Sequence, residues 1–175
     1  MPATTKKLAD IYANRAFGTL VMSAANTLTF LQLQFGVGLF QGVAMILNRV
    51  EWSFPSGTLR ELVALADELH VVVSNRDDLA TVDPTNQSIL AHAAIVPMLV
   101  GAVVNEWDFY LPLVTDFSSL PGGGLIIPAN PIYLGMTTAG FAAAATTQAV
   151  LYFTFKTLTD AEYIELIQTI MPANI

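Results

Sequence analysis

The chain has 175 residues, 54% of them hydrophobic and only 12% charged, with 7 basic against 14 acidic side chains and a net charge of −7. A soluble chain of this length ordinarily carries about 44 charged residues, so disorder, which depends on charge and polarity, is excluded. The acidic balance and the lack of any Lys/Arg run argue against direct nucleic-acid binding. The absence of cysteine excludes disulfide scaffolds, thiol catalysis and thiolate zinc sites.

Taken in chain order, residues 1–16 read as an N-terminal arm or short helix, and residues 17–175 as one domain. Residues 18–23 form a first short apolar run. From 31 to 39 the alternation is strict, with Leu31, Leu33, Phe35, Val37 and Leu39 apolar and Gln32, Gln34, Gly36 and Gly38 between them. Val50, Trp52 and Phe54 alternate with Arg49, Glu51 and Ser53. This period of two is the signature of strands with one buried face.

Thr58 and Glu61 form a capping box ahead of residues 59–69, where Leu62, Leu65 and Leu69 recur at helical spacing, so a helix is expected there. Strands are then expected at 70–74, within 89–104, and at 107–117, where Trp107, Phe109, Leu111 and Leu113 share a face. A Pro/Gly-rich loop follows at 121–124. The run 125–136 is confined by Pro128 and Pro131 to an edge, a bulge or two short pieces. Ala149, Leu151, Phe153 and Phe155 alternate with polar neighbours, and a second capping box, Thr159 with Glu162, opens a short C-terminal helix. The sum is an all-β chain: an antiparallel β-sandwich of jelly-roll type with about eight strands, one inserted helix and a short C-terminal helix. An immunoglobulin-like sandwich is the alternative, without the Cys–Trp–Cys landmark.

The sequence carries no catalytic signature. His70 and His92 lack metal-ligand spacing and read as packed or hydrogen-bonded histidines. Asp77, Asp78 and Asp83 lie in a turn-rich stretch without EF-hand spacing and read as a solvated loop. Asp108 and Asp116 are about 27 Å apart along a strand, too far for a carboxylate pair. Nucleophile-elbow, Walker and dinucleotide motifs are absent. No enzymatic activity and no cofactor are expected.

Two charge-free intervals, 16–48 and 117–155, are long enough to cover a bilayer, but Gln, Gly, Pro and Asn interrupt both. A membrane-embedded protein is therefore a lesser alternative. A secretory signal is not expected either, because Asp10 and Arg15 break the run between Lys6, Lys7 and the short apolar stretch 16–22.

The missing charge favours association, since charge depletion with aromatic enrichment marks interface cores. Candidate interface residues, chosen by position and small-residue context, are Lys6, Lys7, Leu62, Leu65, Pro121, Gly123, Pro128, Phe141, Tyr163 and Leu166. The succession of about eight strands, the Pro/Gly-rich segment 121–131, the strand pair 132–136 and 148–155, and the terminal acidic stretch 158–167 resemble the single jelly-roll capsid proteins of icosahedral viruses. That resemblance implies a structural subunit of the virion that self-assembles into a shell. A second capsid protein and an enclosed membrane are both compatible with it. The weakly basic arm implies that the shell does not neutralise a genome directly. The rival reading is a carbohydrate- or receptor-binding sandwich presenting Trp107, Tyr110 or Tyr133.

Overall fold

The computed structural model describes residues 14–35, 43–64, 66–97, 112–128 and 131–170. Period-two alternation becomes nine strands among these residues: β1 (Asn14–Val21), β2 (Thr29–Gln32), β3 (Val43–Ser53), β4 (Glu68–Ser74), β5 (Ile89–Ile95), β6 (Leu113–Asp116), β7 (Leu125–Pro128), β8 (Tyr133–Ala139) and β9 (Thr146–Thr157). The helices are α1 (Ser56–Leu59) and α2 (Asp160–Ile170). The protein is an all-β sandwich of two antiparallel sheets. One sheet has the order β1-β9-β3-β6, with β7 also paired to β3; the other runs β2-β8-β4-β5.

The pairing is nested. β1 pairs with β9, β2 with β8, β3 with both β6 and β7, and β4 with β5, all antiparallel. The β3–β9 and β4–β8 ladders complete the two sheets. Each inner face follows from alternation: Leu47, Val50 and Trp52 of β3 meet Leu151 and Phe153 of β9 and, from the other sheet, Leu69, Val71 and Val73 of β4 with Leu134 and Met136 of β8. Trp52 is fully buried, with its indole N–H directed to the Thr115 hydroxyl at 3.3 Å. Phe153 packs edge-on against Phe35 and Phe155, ring centroids 5.3 and 5.2 Å away.

The structure corrects the reading of residues 59–69. The helix is a single turn, α1, which shares only Leu59 with that range, and Leu69 enters β4. The reason is competition for the backbone. The Asp67 carboxylate accepts from the Val63 and Ala64 N–H groups and ties the chain into a turn. Thr58 and Glu61 do not cap a helix locally. The Thr58 hydroxyl donates to Thr146 O and accepts from Thr146 N–H, both at 2.9 Å. Glu61 accepts from the N–H groups of Ala142 and Ala143. The second capping box does form: Thr159 N–H and hydroxyl donate to Glu162, and Glu162 N–H returns to the Thr159 hydroxyl.

Other boundaries moved less. β1 begins at Asn14, so residues 14–16 belong to the sheet and not to the arm. Residues 125–136 split into β7, which ends at Pro128, and β8, which begins after Pro131. Of the expected strand 31–39, Leu31 and Gln32 lie in β2 and 36–39 lie outside the described residues; of 107–117, residues 107–111 lie outside them.

The same polar bonds bind three loops into one end of the sandwich. Asn26, in the β1–β2 loop and left-handed at φ 58°, donates to Phe141 O and accepts from Phe141 N–H, while its own N–H donates to Thr138. Thr58 and Glu61 bring the β3–β4 segment to the same β8–β9 loop. Phe141 then plugs the core beneath them, 3% exposed.

Candidate subunit interface

The outer face of the β1-β9-β3-β6 sheet holds the largest exposed apolar side chains among the strands described. On β1, Ala16 and Leu20 point into the core with Gly18, which leaves Arg15, Phe17, Thr19 and Val21 outside. Gly18 lets the opposing sheet approach closely: a Cβ there would lie 2.5 Å from Leu33. Phe17 is 81% exposed and Val21 61%. Register places Phe17 beside Val150, Val150 beside Glu51, and Glu51 beside Val114, itself 47% exposed. An apolar row thus crosses the sheet, interrupted only by Glu51.

A polar cluster sits at the centre of that face. The Arg49 guanidinium pairs with Glu51 at 2.5 Å and lies over the Tyr152 ring, 5.7 Å from its centroid. The Tyr152 hydroxyl donates to Glu51 at 3.1 Å. Arg15 is opposite Tyr152, and Asp116 is opposite Arg49. Hydrogen bonds from the Ser118 hydroxyl and N–H, followed by the charge of Arg49, hold the Asp116 carboxyl below the usual carboxylate range.

The sheet edge beyond Val114 is β6 and β7, in effect one strand broken by the loop 117–124. Asn48, at a register shift in β3, staples that loop at both ends: its carbonyl accepts from Phe117 N–H at 2.8 Å and its side-chain amide donates to Gly123 O at 2.6 Å. Gly122 and Gly123 take φ of +88° and +79°, values that L side chains rarely adopt. Leu120, Pro121 and Gly123 are exposed on the loop, and Gly124 is buried against Leu47 O.

The expected interface residues fall in different places. Pro121 and Gly123 are on this exposed loop. Pro128 ends β7 in register with Ala44. Tyr163 and Leu166 belong to α2, where Leu166 is half-buried. Leu62 and Phe141 are core residues, 2% and 3% exposed, and so offer no surface to a neighbour. Lys6, Lys7 and Leu65 lie outside the described residues, as do Trp107 and Tyr110; Tyr133 is half-buried on β8. Phe17, Val21 and Val114 were not among the expected residues. For Phe17 and Val21 the signal was the parity of β1, with Ala16, Gly18 and Leu20 on one side and Phe17 and Val21 on the other.

Two carboxylates of the acidic loop are bonded within it. Asp78 takes two hydrogen bonds from Arg76, each 2.7 Å, and Asp83 accepts from Thr85 N–H and hydroxyl. These bonds lower both carboxyl pKa values. Among the described residues no group of three or more His, Cys, Asp or Glu could hold a metal ion, and no helix is long and apolar enough to cross a membrane. No protein-family model, curated protein or solved structure matches the chain.

Proposed function

We propose that this chain is a structural subunit, a jelly-roll capsid protein that assembles with copies of itself into the shell of a virion. The observation that carries the proposal is the nested strand pairing in the orders β1-β9-β3-β6/β7 and β2-β8-β4-β5. That order supports a jelly-roll reading, the arrangement on which viral capsid and lectin domains are built. Fold alone does not choose between those roles. Low charge, the row of Phe17, Val150 and Val114, and exposed Val21 farther along β1 favour a surface that neighbouring subunits cover.

The mechanism is geometric. Loops bound together at one end make a rigid wedge, and the outer sheet face and the loop 117–124 meet different surfaces of adjacent copies. Repeated heterologous contacts of this kind close when their rotations close. Full burial of one side chain such as Phe17 contributes about 1.5–3 kcal/mol, whereas an exposed ion pair contributes about 0–1 kcal/mol. The apolar row therefore supplies the drive, and the Arg49–Glu51–Tyr152 cluster supplies register. A second capsid protein or an enclosed membrane would fit the same scheme.

Phe17→Asp tests it. The substitution places a charge on an exposed side chain, so the fold should persist by circular dichroism while sedimentation shows particles lost in favour of small species. Particles of unchanged size and yield from the variant would remove this face from assembly.

A further inference from the structure

We propose that His70 and His92 form an acid-triggered latch on the edge strand β5: the pair keeps its mutual hydrogen bond when neutral or singly protonated and opens when both rings are charged. Antiparallel register sets Val72 opposite His92 and His70 opposite Ala94, so the two histidines are diagonal neighbours on the outer face of the β2-β8-β4-β5 sheet. Their rings stack at 5.4 Å with 12° between planes, and His70 Nδ1 lies 3.1 Å from His92 Nε2. His70 Nε2 lies 3.1 Å from Glu68 Oε2, completing a chain of three ionisable groups.

Protons can be placed on this chain in three ways. In the neutral pair, His92 Nε2–H donates to His70 Nδ1 and His70 Nε2–H donates to Glu68. With one added proton, His70 carries both N–H groups and donates to His92 and to Glu68 at once. With a second, two N–H donors on two cations confront each other across the same 3.1 Å, and no acceptor lies between them.

Little nearby charge opposes that repulsion. The residues sharing the face are Glu68 on β4, Thr137 and Tyr133 on β8, Phe30 and Gln32 on β2, and no other ionisable side chain on β5. Glu68 already partners His70 and offsets one positive charge only. Burial, then the charge of His70, lowers the His92 pKa, as the geometry requires. For a histidine depressed in this way, the stabilisation is complete above its unfolded pKa of about 6.5. It is lost as pH falls from there through the folded value. Among the described residues β5 pairs only with β4, so the loss falls on that ladder. The latch is independent of whether the chain builds a shell.

Amide hydrogen exchange on the full-length protein, corrected for intrinsic rates, between about pH 7.5 and about pH 5 tests the latch. Protection of β5 and its β4 partners should fall by up to about tenfold per pH unit as the pH drops from about 6.5 through the folded value of His92, while the β1–β9 ladder holds. His92→Gln, which keeps a hydrogen-bonding amide but cannot titrate, should flatten that response, and His70→Gln, which removes the second charge but leaves His92 part-buried, should weaken it. Constant β5 protection in the wild-type protein would overturn the latch. So would a loss shared equally by β1–β9, or a wild-type response surviving in either variant.

Discussion

Gly135 has no side chain because two neighbours occupy its place. A Cβ there would stand 2.6 Å from the Phe30 ring and 2.8 Å from Val72, so Phe30 lies across β8 and against β4. Gly135→Ala forces that ring to move, and overpacking of this kind costs about 1–3 kcal/mol. Removing the ring relieves the closer of these two clashes and leaves the one with Val72. Phe30→Ala combined with Gly135→Ala should therefore be less destabilising than the sum of the single changes, with a coupling of about 0.5–3 kcal/mol in urea unfolding. Strict additivity would mean that the ring does not cover Gly135. The same scale explains why the exposed residues were hard to read. Phe17 looks like one more apolar residue in a run, and only its sheet-level neighbours leave it uncovered. Phe141, in a stretch of alanines, reads as surface but fills the space under three joined loops.

At the scale of elements, two capping boxes with the same spacing had different fates. Thr159 and Glu162 cap α2 because the chain ahead leaves β9 and, among the described residues, no hydrogen bond to a distant segment competes for them. Thr58 and Glu61 are taken by Thr146, Ala142 and Ala143, eighty and more residues away in sequence, which no local pattern encodes. Strands were legible because a half-buried strand writes its period into adjacent residues; the 59–69 segment was not, because Leu62 and Leu69 are buried through tertiary contacts that mimic helical spacing. The loop bonds also order the variants. Thr58→Val leaves the Thr146 N–H without its partner and should cost about 1–3 kcal/mol. Glu61→Gln keeps an acceptor oxygen for Ala142 and Ala143 and should stay within about 0.5 kcal/mol of wild type. The reverse order in thermal or urea unfolding would show that charge at Glu61 matters more than the Thr58 hydroxyl.

Across the whole molecule, a sandwich with loops joined at one end, a broken strand at one sheet edge and exposed Phe17, Val21 and Val114 on one outer face underlies the proposed contacts between copies. Light scattering of the purified, detergent-free protein over a range of salt tests the proposed self-assembly. If burial of apolar residues drives assembly, particles of megadalton mass should form and persist at about 1 M salt, where the screening length is about 3 Å. A stable 18.8 kDa monomer at every salt concentration would contradict the account.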